Sequence, residues 1–151
     1  MVEWGILAIV VFIVAGIFGR YAHRVQGQAE RAAIVFTLGA LRTALVVGHT
    51  RQLVANQQQV IVTAVVNPFD WFESRPANYA GPVHSRNVDA VAPGKWVFDA
   101  ECPCVGYVPL QPEWLEYPAY APALWFRVIS GKGVPQLEAW DSYQWQGAAV
   151  N

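Results

Sequence analysis

A chain of 151 residues has room for one domain and an appendage. Hydrophobic residues make up 54% of it and charged residues 14%, against about 25% charged in ordinary soluble domains, so part of the surface is expected in lipid or against a partner. The net charge of −1 leaves no electrostatic footprint for nucleic acid. Residues 1–56 hold five Arg and two Glu, whereas residues 57–151 hold three Arg, two Lys and nine acids, and all ten prolines fall between Pro68 and Pro135. A proline costs a helix interior about 3 kcal/mol. The proline-free stretch therefore predicts a helical unit over 1–56, and the proline-rich remainder a head of strands, turns and short helices over 57–151.

The first element is apolar. Trp4–Gly19 carries no charge, and as a helix it extends roughly 24 Å, close to a hydrocarbon core of about 30 Å once Met1–Glu3 are added. A cleavable secretory signal would need a basic segment ahead of the apolar run, and Glu3 is the one charge there. Glu3 has two readings: an interfacial carboxylate among headgroups, or a carboxylate that neutralises the N-terminal amine of an adjacent subunit and so sets helix register. Arg20, His23 and Arg24 flank the far end of the span. By the positive-inside rule alone they favour a cytoplasmic head, a balance that a removed basic leader would reverse.

The helix is expected to continue to Val54, for a total of roughly 80 Å. Ala29, Ala33, Phe36, Ala40, Ala44 and Val47 step by three and four and define an apolar face for helix packing. Ile34, Leu38, Leu41 and Leu45 form an adjoining row, and Glu30, Arg31, Arg42 and Arg51 mark more polar parts of the circumference. Gly27 and Gly39 weaken the helix by about 1 kcal/mol each relative to Ala and mark local melting, close helix contacts or merely tolerated positions.

In the head, residues 58–66 read as a short helix or a strand, and Asn67-Pro68 as the cap and first position of a short helix over 68–74. Arg75–Val83 reads as loop. Strands are expected at Lys95–Asp99, with Trp96 and Phe98 on one face, at Val105–Leu110, at Ala123–Ser130 and, after a Gly131-Lys132-Gly133 hairpin turn, at Leu137–Trp145. Leu124, Phe126 and Val128 share one face of the third of these. The fold class is thus α+β: a long N-terminal helix, transmembrane over 4–19 and amphipathic beyond, packed on a small antiparallel sheet of about four strands.

Little here resembles a catalytic set. Cys102 and Cys104 are the two cysteines; in an oxidising compartment they read as a disulfide that staples one turn, or as a strained redox pair. Two thiolates without a histidine pair are a poor zinc site. His23 and His49 lie too far apart on one helix to converge, His84 sits in a loop, and Glu113 and Glu116 read as a solvated face. There is no phosphate loop or nucleophile elbow, so neither an enzyme, nor a metal, nor a cofactor is expected. Trp114, Tyr117 and Tyr120 read either as a cap on the sheet or as an exposed interaction surface of the head.

The ordered run of an apolar then amphipathic helix, Asn67-Pro68-Phe69-Asp70-Trp71-Phe72, Pro76-x-Asn78-Tyr79-x-Gly81, Pro93-Gly94-x-Trp96-x-Phe98-Asp99, Val105-x-Tyr107 and Trp125-Phe126-Arg127-Val128 resembles type IV pilin-like proteins and pseudopilins of Gram-negative bacteria. The resemblance is greatest to minor pilin-like subunits of mannose-sensitive-haemagglutinin-type pilus systems. It implies a non-enzymatic subunit or assembly factor of a filament whose core is bundled N-terminal helices. The implied partners are other pilin or pseudopilin subunits and the inner-membrane assembly machinery. The implied location is the inner membrane, single-pass, with the head in the periplasm, or the assembled pilus on the cell surface. The family places its register-setting Glu five residues into the mature chain; here Glu3 stands two positions from that. Alternatives are a pseudopilin of a type II secretion system and a membrane-anchored periplasmic thiol-redox protein using Cys102 and Cys104.

Overall fold

The computed structural model describes residues 2–56, 67–119, 121–129 and 133–150. A single helix, α1 (Val2–Asn56), runs from the start of the chain to the edge of the head. At 1.5 Å per residue it is roughly 80 Å long. Its apolar N-terminal part is long and apolar enough to cross a membrane, and every side chain from Trp4 to Arg20 is exposed. The segment expected as a helix or strand at 58–66 lies outside the described residues.

The head is α+β. After a 3-10 turn at Pro68–Trp71 come β1 (Tyr79–Val83), β2 (Trp96–Asp99), β3 (Cys104–Tyr107), β4 (Leu115–Tyr117), β5 (Leu124–Ile129), β6 (Gln136–Ala139), β7 (Gln144–Trp145) and β8 (Ala148–Ala149). Two sheets form among the described residues: five strands ordered β1-β2-β3-β5-β6, and three ordered β4-β7-β8. β1 pairs with β2 in parallel and the other pairs are antiparallel. The expected antiparallel sheet of about four strands is therefore corrected to a mixed sheet of five with a second of three.

Local chemistry explains the differences. The helix expected at 68–74 is the shorter 3-10 turn; Asn67 caps it by accepting the Phe69 N–H at its Oδ1 (3.1 Å). Tyr79–Val83, read as loop, is an edge strand, a place where Pro82 withholds no hydrogen bond from an inner neighbour. Leu137–Trp145, read as one strand, breaks after Ala139, so β6 joins the large sheet and β7 the small one. Of the hairpin turn before it, Gly131 and Lys132 lie outside the described residues; its flanks do pair, from Phe126↔Ala139 to Ile129↔Gln136.

Ile34, Leu38, Leu41 and Leu45 lie against one face of the large sheet, each at most 1% exposed. They meet Trp96, Phe98, Val105, Leu124, Phe126 and Leu137, with Phe69 at one end and Trp114, Trp145 and Val150 at the other. Alternation along the strands is what gathers Trp96 and Phe98, and Leu124 and Phe126, on this side. Burying each such aliphatic side chain contributes roughly 1.5–3 kcal/mol. The reverse face has its own core, in which Val97, Cys104 and Trp125 pack under Val88, Val108 and Ala123. Gly106 lies between these layers, where a Cβ would come 2.7 Å from the Trp125 ring.

Candidate functional site: the long helix and its seam with the head

One side of α1 is a seam. Trp145 donates its Nε1–H to the Gly27 carbonyl (2.8 Å), and Trp114 donates its Nε1–H to Nε2 of His23 (3.1 Å). Oε1 of Glu30 accepts both the Tyr107 hydroxyl and the Leu110 backbone N–H, each at 2.7 Å. Arg31 donates to the Ala149 carbonyl (2.7 Å) and Arg42 to that of Leu137 (3.4 Å). Apolar packing is not direction-specific, whereas these bonds fix how far along and about the helix the head sits.

Glu30 is the buried member of the seam, 6% exposed, and its Oε2 is buried with no partner among the described residues. Burial pushes its carboxyl above the ordinary range, while the Leu110 N–H and then the Tyr107 O–H pull it partway back. Burial, and then the hydrogen-bonded Glu30 carboxylate, push the Tyr107 phenol up. Reading Glu30 as part of a polar sector is thereby corrected, since it continues the buried row four residues before Ile34. That spacing was the available signal.

Two glycines let the head approach. Gly27 lies under Gln146, whose amide nitrogen would overlap any Cβ there, and Gly48 lies under the ring of Trp71, which would do the same. Gly39 meets nothing and is exposed.

The remaining circumference is free of the head. Among the residues expected to pack helices, Ala29, Ala33, Phe36 and Val47 are exposed, Phe36 at 79%, and Ala40 and Ala44 are half-buried. Val46, Val47, Thr50, Arg51 and Val54 line a shallow groove that is almost wholly apolar. With the apolar segment at 4–19 this makes a long apolar surface that the described part of the head does not cover. Glu3 lies in the first helical turn, and its side chain lies outside the described part of the structure.

The structure divides the aromatic trio. Trp114 is 6% exposed and packed between His23 and Trp145, with ring centroids at 5.3 and 6.0 Å, so it is not part of an exposed surface. Tyr117 is 56% exposed, and Tyr120 lies outside the described residues. The partner that buries Trp114 is 91 residues away in sequence, beyond any local signal.

Cys102 and Cys104 are joined by a disulfide at the corner between β2 and β3. Beside it, buried Asp99 accepts the backbone N–H of Glu101 (2.8 Å) and that of Arg86 (2.5 Å). Asp99 and the two sulfurs lie close together, but sulfurs bonded to each other offer no thiolate to a metal. His84 is exposed, with its Nδ1 3.9 Å from Glu101. The outer face also carries Trp140, with the Arg86 and Arg127 guanidiniums 4.5 and 4.2 Å from its ring centre.

Among the described residues, one side of α1 is thus bonded to the head and another, apolar and exposed, is left uncovered by it. Comparison with protein-family models, with curated proteins and with solved structures finds no match.

Proposed function

We propose that this chain is a non-enzymatic subunit or assembly factor of a type IV pilus-like filament, in which α1 packs against copies of itself or related subunits and the head lies outside. The observation that carries this reading is the free circumference of α1. An apolar span with no contact to its own chain continues into an apolar stripe, through Ala33 and Phe36 to Val47, that points away from the head. A simple anchor needs the span alone. An exposed apolar stripe that continues beyond the membrane calls for a partner surface of the same kind, here the helices of pilin-like subunits at the inner membrane.

Within such a bundle, Glu3 neutralises a neighbour's terminal amine and sets register. The same surface would serve a pseudopilin of a secretion apparatus. A thiol-redox role has less support, because Cys104 is fully buried in the second core and an attacking thiol has access only through Cys102.

The test is incorporation. Phe36→Glu places a charge on the stripe without touching the head, so the chain should stay folded and membrane-bound yet be lost from sheared filaments. Glu3→Ala should reduce incorporation in the same assay, again with the head folded. Wild-type yields of both variants in the filament fraction would end this reading.

A further inference from the structure

A cleft of about 620 Å³ opens where α1 leaves the apolar span, between Arg20, His23 and Arg24 on the helix and Trp114, Glu116 and Gln146 at the base of the head. Its height is set by the helix. Arg20 is the first charged residue after the span, and Arg24 lies about 6 Å further along the axis. The headgroup layer of a bilayer is roughly 5–8 Å thick on each side. With Trp4–Gly19 in the hydrocarbon, the mouth of the cleft is level with lipid phosphates.

Its chemistry matches that position. Arg20 and Arg24 have no carboxylate within ion-pair distance among the described residues. Glu116 is the one acid in the wall, and one of its oxygens is taken by the Gly147 N–H (3.0 Å). Two guanidiniums against one carboxylate leave the cleft one positive charge in excess, so a ligand carrying one negative charge balances it. Guanidinium forks suit phosphate oxygens. His23 adds a donor: with Nε2 accepting from Trp114, the neutral ring carries its proton on Nδ1.

The far wall offers the other Glu116 oxygen as an acceptor, and Gln146 fixes its shape. Oε1 of Gln146 is buried and has no donor among the described residues. Gln146 is also held in the left-handed region, at φ 46°, in the two-residue turn between β7 and β8. Its side chain is pinned over Gly27, so the amide is placed rather than free.

We propose that this cleft binds the headgroup of an anionic phospholipid, with the phosphodiester between Arg20 and Arg24 and a headgroup hydroxyl donating to Glu116. Phosphatidylglycerol has this charge and these donors. The proposal rests on the reading of Trp4–Gly19 as a membrane span, and it concerns the subunit while it still stands in the bilayer. Lipid bound there would join helix, head and membrane surface at one point.

Native mass spectrometry of the full chain, released from micelles containing equal phosphatidylglycerol and phosphatidylcholine, tests it. At least a fivefold excess of phosphatidylglycerol adducts is expected, and the R20Q/R24Q variant should lose that excess. Neither arginine bonds to the head among the described residues, so the variant's near-ultraviolet circular dichroism should match the wild type. Equal adducts of the two lipids, a preference for phosphatidylethanolamine, or an excess that survives R20Q/R24Q would overturn the proposal. Glycerol 3-phosphate binding as tightly in lipid-free micelles would assign the cleft to a soluble phosphate ester instead. Alkaline carbonate extraction separates the two readings: a chain retained in the membrane without lipid preference refutes the lipid site alone, and a chain released refutes the span.

Discussion

Glu30 shows how one residue couples the helix to the chemistry of its surroundings. Its carboxyl is raised by burial, so the folded protein holds this proton at a pH where the unfolded chain has released it. The stabilisation is therefore fully present below the unfolded value of about 4.5 and is lost as pH rises through the raised folded value. Chemical denaturation followed across that window should show the head losing stability with rising pH, and Glu30→Gln should flatten the dependence. Glu30→Ala should instead cost about 1–3 kcal/mol, because the buried Tyr107 hydroxyl loses its acceptor and the Leu110 N–H loses its partner. The site is half legible in sequence. The four-residue step from Glu30 to Ile34 marks it as inward-facing, whereas Tyr107 and Leu110 lie about eighty residues on and meet it only through the tertiary fold.

At the scale of the element, α1 has two sides with opposite tolerances, and its glycines report them. Gly39 faces open space and Gly48 faces the Trp71 ring. Gly39→Ala should therefore raise stability by up to about 1 kcal/mol through helix propensity alone. Gly48→Ala should lower it by about 1–3 kcal/mol, since Trp71 must move off the helix. Thermal melts of the two variants should move in opposite directions, and a common direction would contradict this geometry. The length of α1 and its apolar start could be read from sequence because an absence of proline and of charge are local signals. The strands at Trp96, Cys104 and Leu124 could be read from alternation. Tyr79–Val83 could not, because a Gly-Pro pair suppresses strand propensity and the strand exists through its pairing with β2. Which apolar row faced the head was equally hidden, because the row through Ala33 and Phe36 and the row through Ile34 and Leu38 have similar periodicity, and only the sheet selects between them.

The whole molecule is a head cored by the C-terminal half of α1, with the rest of the helix extending well beyond it. The core is built from residues 34–45 of α1, the 3-10 turn and both sheets, and the first helix residues to bond with the head are His23 and Gly27. A chain lacking residues 1–19 should thus keep its melting temperature within about 2 °C, since residues 4–19 are all exposed. It should also become soluble without detergent. A collapse of the head in that variant, seen by near-ultraviolet circular dichroism, would mean that the apolar segment supports the fold. Partner choice remained beyond the sequence for a physical reason: apolar stripes specify that something packs there, and their geometry is compatible with many helices.

The edges of the large sheet bear on how such molecules can stand side by side. Pro82 lies within β1, the outermost strand on one side, and Pro135 immediately precedes β6, the outermost strand on the other. A strand edge interrupted by proline is a poor template for a neighbour's backbone. If copies crowd around a common axis, as in the filament proposed above, their heads would therefore touch through side chains without their sheets fusing, and each copy would stay a separate body.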